Sequence, residues 1–191
     1  GNCHSMLTDK LKQVIRQSYK ALGENLNNFN PRKQQTFLVA EIAKTLSGEY
    51  SKDRKIITIE AGTGTGKSLA YSLGAIPLAI ARDKKVCIST ATVALQEQLV
   101  DKDLPFLKKH AGLKFDFALA KGRQRYVCRQ KLALAVSNDD SPQAGFTFAQ
   151  KPNAMDIKLL HHLHKALNDN QWQGDLDSWA DPIPHHLWQQ I

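Results

Sequence analysis

Long apolar runs are missing from this chain. A helix needs about 20 consecutive apolar residues to span a bilayer, and the best stretch here, Leu73 to Ala81, is shorter and interrupted by Pro77. Cysteine is scarce too: three in 191 residues cannot form the disulfide framework that holds small secreted domains together. Cys3 lies in Gly1-Asn2-Cys3-His4-Ser5, which reads as an expression scar (residues 1–5) ahead of a natural start at Met6. Cys87 sits in the apolar run Val86-Cys87-Ile88, where a buried thiol is expected. Acidic residues are in deficit, 18 against 26 Lys+Arg, for a formal net charge of +8 and an isoelectric point near 9.4. Such a balance permits a polyanionic partner without requiring one. These absences lead to the expectation of a cytoplasmic domain with one sizeable core and a second small lobe.

The most informative segment is the β-branched run Ile56-Ile57-Thr58-Ile59-Glu60, which breaks into Ala61-Gly62-Thr63-Gly64-Thr65-Gly66-Lys67-Ser68. A strand, a glycine-rich loop ending in Lys-Ser and a following helix together form a phosphate-binding loop, so the chain is expected to bind a nucleoside triphosphate. The glycines let backbone N–H groups turn inward around phosphates. Lys67 reaches the β/γ-phosphates, and the Ser68 hydroxyl can hold Mg²⁺. Ala61 stands where the strict pattern has its first glycine, and is small enough for the turn. The helix continuing from Ser68 would turn its positive end toward the phosphates.

Apolar spacing predicts helices from Met6 to Leu22, from Pro31 through Leu46 to a stop at Gly48, after the loop as far as Arg82, and from Thr92 through Leu99. Three segments read as strands: Ile56–Glu60, Lys85–Thr90 and Phe115–Ala120. Alternating strand and helix predict an α/β fold, a parallel sheet flanked by helices.

After Cys128 the character changes. Residues 137–152 are rich in Asn, Asp, Ser, Pro and Gln, a helix is expected from Met155 to Leu167, and the last stretch mixes Trp172, Trp179 and Trp188 with Asp and Pro. His161, His162, His164, His185 and His186 do not form a recognised metal spacing and are expected in solvent. Before that boundary, Lys121-Gly122-Arg123-Gln124-Arg125-Tyr126 gathers three cations and an aromatic around a glycine. It suits nucleic acid, with Arg123 and Arg125 on phosphates and Tyr126 on a base, and equally an ordinary solvated loop.

Three blocks together carry a family resemblance: Glu60–Ser68, Ser89–Leu99 and Lys121–Cys128. In order and setting they resemble the XPD/DinG branch of superfamily 2 DNA helicases, nearest to its bacterial DinG-type members, and the likeness runs from about Met6 to the late Leu187-Trp188. The resemblance implies a RecA-like P-loop NTPase domain over residues 6–127 and the leading part of an iron–sulfur domain over 128–191. It implies that Gln35 reads the adenine edge with Arg32 in support, a role its amide donor and acceptor suit. Residues Ala61, Gly62, Thr63, Gly64, Thr65, Gly66, Lys67 and Ser68 would hold ATP, with Lys67 and Ser68 catalytic and Ser68 on Mg²⁺. Thr90 and Gln98 would contact the backbone of single-stranded DNA. Cys128 would be the first of four cysteines ligating a four-iron, four-sulfur cluster.

The departures are equally specific. No Asp-Glu-x-His segment follows the loop, no second motor domain or arginine finger is present, and the other three cluster cysteines are absent. The expectation is an N-terminal piece of an ATP-dependent 5′-3′ helicase that acts on single strands, forked duplexes and RNA–DNA hybrids near the bacterial nucleoid. The alternative is a nucleotide-gated binding module or P-loop kinase, in which Lys67 and Ser68 bind phosphate without translocation.

Overall fold

The structure, a computed structural model, describes residues 7–27, 32–62, 66–137 and 151–191. The leading Gly1–Ser5, Pro31, Thr63–Thr65 and most of the polar stretch before Pro152 lie outside the described residues. The chain divides into two compact units, Gly1–Leu119 and Ala120–Ile191.

The first unit is built on α1 (Asp9–Asn25), α2 (Lys33–Ser47) and α3 (Lys67–Ala81). The Thr8 hydroxyl caps α1 by accepting from the Leu11 N–H at 3.2 Å. One stripe of α1, Leu11, Ile15, Ser18 and Leu22, is buried. Gly48, at φ +89°, ends α2 in the left-handed region, and its N–H returns to Lys44 and Thr45 carbonyls. The Arg82 guanidinium donates to the Leu46 and Ser47 carbonyls at 3.2 and 3.1 Å, satisfying acceptors that a helix end leaves open.

Helices α2 and α3 pack so closely that a Cβ on Gly74 would come within 2.7 Å of Ile42 Cγ2. Then come α4 (Val93–Gln98), capped by the Thr92 hydroxyl, a π-helical turn Leu99–Asp103, and α5 (Leu104–His110). Leu38, Val39, Leu73, Ile76, Leu104 and Leu107 are part of the shared core.

The expected parallel sheet is not formed. Among the described residues there is no strand or sheet: Ile56–Glu60, Lys85–Thr90 and Phe115–Ala120 run as non-helical chain with no ladder of backbone hydrogen bonds. The physical reason is that a strand exists only through its partner. β-Branched runs report a preference for extended chain, whereas the ladder depends on where other segments lie. Here Ile57, Ile59, Val86 and Ile88 line one apolar depression beside Ala75 and Leu78 of α3, which gives them contact without pairing. Ile56 is left 84% exposed. Cys87 is exposed rather than buried, because its segment is not sandwiched between covered faces.

The second unit has its own core. It holds a 3₁₀ turn Arg123–Arg125, α6 (Arg129–Ser137), α7 (Ala154–Asn168), a 3₁₀ turn Leu176–Ser178 and α8 (His185–Trp188). Leu132, Leu160, Leu163, Leu167, Trp172 and Leu187 close over one another. A capping box starts α7: the Asn153 side chain accepts from the Asp156 N–H at 2.8 Å while Asp156 Oδ2 accepts from the Asn153 N–H at 3.0 Å. The two ends of the unit are joined by the Val127 N–H donating to Gly174 O at 2.8 Å and the Cys128 N–H donating to Ile191 O at 3.1 Å. Among the described residues no helix is long and apolar enough to cross a membrane.

Candidate functional site

The glycine-rich loop leads from Ala61 and Gly62 to Gly66, which stands at φ +71° just ahead of Lys67, the first residue of α3. Among the described residues no side chain caps this helix at Gly66. The start of this 15-residue helix carries the positive end of its dipole, which favours an anion. Lys67 Nζ donates to Ala61 O at 2.8 Å, folding the ammonium back over the loop. Thr63, Gly64 and Thr65 lie outside the described residues.

Gln35 reaches the loop from α2, 31 residues away in sequence. Its Nε2 donates to Gly66 O at 3.2 Å, and its Oε1 accepts from the Tyr19 hydroxyl of α1 at 3.0 Å. Gln35 is 6% exposed. Arg32 stands at the N-cap of α2, and its main chain bonds the Tyr19 hydroxyl. The sequence offers no local signal for Tyr19: its spacing from Ile15 and Leu22 marks a core-facing position, and its polar partners lie 13 and 16 residues further on.

A second group missed by motif reading is Asp103. Its carboxylate accepts from Gln98 Nε2 at 3.4 Å, and the Ser68 side chain lies near enough to favour its charged form. Partial burial pushes its pKa above the ordinary carboxylate value, against the opposing effect of those bonds and of Lys102. Gln98 and Ser68 thus both lie beside one carboxylate. Thr90 is not drawn in, and its hydroxyl donates to Thr92 O at 3.2 Å. A serine hydroxyl beside a carboxylate is a pair of hard oxygen donors, which fits Mg²⁺.

In the second unit the basic loop is largely neutralised. Lys121 Nζ lies 2.7 Å from Asp177 and 3.1 Å from Asp175, and Arg125 also pairs with Asp177. Burial works against the charge of Lys121, but Asp177 and Asp175 outweigh it and raise its pKa. The Lys121 bond leads in holding the Asp177 carboxyl below its usual range, with Arg125 in support. The Tyr126 hydroxyl accepts from the Lys121 N–H at 3.0 Å. Arg123 is exposed and has no ion-pair partner among the described residues.

Cys128 is exposed, with a free thiol, at the start of α6. Among the described residues no three His, Cys, Asp or Glu side chains come together as a metal site. A four-iron cluster takes four thiolates, and the second unit supplies one, so the residues present do not fit it. His161 and His162 are exposed on α7, and His186 bonds Asp156 at 3.1 Å.

No family model matches the chain. Curated relatives do. It is 50% identical over 186 residues to the ATP-dependent DNA helicase DinG of Photobacterium profundum, a match covering 97% of this chain and 27% of that protein. It is 38% identical over 190 residues to the protein of the same name from Escherichia coli K12, covering 97% and 26%. The Salmonella typhimurium protein, again named DinG, is 36% identical over 189 residues. The chain thus spans about a quarter of the length of the relatives it matches.

Proposed function

We propose, from this likeness to DinG proteins, that the chain is the ATP-binding portion of an ATP-dependent DNA helicase. The observation that carries the proposal is the sequence Ala61–Ser68 with Gly66 at the N-cap of α3, in a chain half identical to a DinG helicase. Lys67 would exchange its bond to Ala61 O for the β/γ-phosphates, neutralising charge that builds on the transferring phosphoryl group. Ser68 would hold Mg²⁺, which would supply positive charge to the phosphates, and the nearby Asp103 carboxylate would orient that hydroxyl. Gln35, with Arg32 at the start of the same helix, would read adenine.

The partner is single-stranded DNA, reached in the cytoplasm. Thr90 and Gln98 would contact its backbone, and the whole protein would step 5′ to 3′ to open forked or hybrid duplexes. Arg123 would contribute phosphate contact from the second unit, supported by Arg125 and Tyr126. No feature of the described residues favours a kinase or a gated module without translocation.

The test is strand separation and single-strand-stimulated ATP hydrolysis by a protein of DinG length carrying this chain, compared with its Lys67→Ala variant. Stimulated hydrolysis and unwinding that Lys67→Ala abolishes would support the proposal. Hydrolysis indifferent to both DNA and Lys67 would refute it.

A further inference from the structure

We propose that Tyr19 is a positioning residue for base selection, fixing the Gln35 amide in the orientation that accepts adenine and rejects guanine; this rests on the adenine-reading role given to Gln35 above. The argument begins at Gly66, whose carbonyl can only accept. Gln35 must therefore present Nε2 to it, at 3.2 Å, and turn Oε1 toward Tyr19, whose hydroxyl donates at 3.0 Å. The main chain of Arg32 bonds the same hydroxyl. Tyr19 thus joins the start of α2 to the reading side chain one turn further on, and Gln35 passes the link to the N-cap of α3. Burial pushes the Tyr19 phenol above its ordinary pKa, against a lowering by Arg32, so it remains a donor throughout the neutral range.

With those two bonds made, the amide keeps one N–H and one Oε1 lone pair. That is the complement of the adenine edge, which offers an acceptor at N7 and a donor at N6. Guanine offers two acceptors, O6 and N7, and leaves the Gln35 oxygen without a donor. Selectivity therefore depends on which end of the amide faces which way. Gly66 fixes the nitrogen end and Tyr19 the oxygen end. Gln35 Nε2 fills the place a Cβ on Gly66 would take, 2.2 Å from it, so a glycine there is what lets the amide come this close.

The experiment measures binding of ATP, GTP and inorganic tripolyphosphate to the 191-residue chain by titration calorimetry, for the unmodified chain, Tyr19→Phe, Gln35→Ala and the double variant. Phe keeps the ring that packs beside the core and removes only the hydroxyl. The expected result is a drop of about fivefold in the ATP-to-GTP affinity ratio for Tyr19→Phe, the worth of one neutral hydrogen bond. Tripolyphosphate affinity should be unchanged, and the hydroxyl loss should have no further effect on the ratio once Gln35 is Ala. A Tyr19→Phe chain with the original ratio beside a Gln35→Ala chain that has lost it would overturn the role of Tyr19 and leave that of Gln35 standing. An unchanged ratio in Gln35→Ala would remove the adenine reading and this inference together. Equal losses for all three ligands in Tyr19→Phe would also overturn it, by showing general damage to the loop.

Discussion

Gly66→Ala removes a glycine held at positive φ in the nucleotide site, and its cost can be worked from the structure. At φ +71° an alanine occupies the left-handed region, which costs a non-glycine residue about 1–2 kcal/mol. The new Cβ would lie 2.2 Å from Gln35 Nε2 and 3.3 Å from its Cδ, so the amide must leave. Its departure breaks the bonds to Gly66 O and Tyr19, each worth about 1 kcal/mol. The sum is about 3 kcal/mol, or roughly 10 °C in the melting temperature of a unit this size.

The control is Gly62→Ala in the same loop, where a Cβ meets nothing within 4 Å, and a change of no more than about 0.5 kcal/mol is expected. Thermal melting of the two variants beside the unmodified chain, followed by circular dichroism, reads the difference. If Gly66→Ala melted with Gly62→Ala, the Tyr19–Gln35–Gly66 connection would carry no stability and the reasoning would be refuted.

Asp177→Asn should destabilise the second unit by about 1–2 kcal/mol at neutral pH, because Lys121, with a side chain only 7% exposed, loses one of its two carboxylates. The sign with pH follows from the lowered Asp177 pKa: its contribution is present above the unfolded value near 4 and fades as pH falls through the folded one. Acid melts should therefore show a fall in stability below about pH 4 that Asp177→Asn makes shallower. Asn153→Ala removes one half of the α7 capping box and should cost about 1 kcal/mol in denaturant titration. Arg123→Ala should weaken single-stranded DNA binding and lower its salt slope by about 0.7. Arg125→Ala, already paired to Asp177, should lower the stability of the second unit more than its DNA affinity.

The helices were legible because their signals are local. Leucine spacing placed α1, Gly48 supplied the stop of α2, and the Thr92 cap forms as its position suggested. The sheet was not legible in the same sense, since Ile56–Glu60 and Lys85–Thr90 have strand composition but no ladder, and a ladder is a relation between distant segments. The site divides along the same line. Lys67 and Ser68 are proposed for it from the motif. Tyr19, which meets Gln35 16 residues later, and Asp103, which meets Ser68, carry no motif. The basic loop divides the same way: composition offers Arg123 and Arg125 to phosphate or to solvent alike, and the carboxylate that pairs Lys121 and Arg125, Asp177, lies 56 and 52 residues downstream.

The central claim is that Lys67 and the loop before it bind the phosphates of ATP, and direct titration of Mg-ATP onto the 191-residue chain tests it most directly. The account predicts saturable binding that Lys67→Ala weakens at least tenfold while the melting temperature of the ligand-free chain stays unchanged, together with negligible hydrolysis, because no Asp-Glu-x-His segment is present to orient the attacking water. Binding of equal strength in the unmodified and Lys67→Ala chains would contradict it.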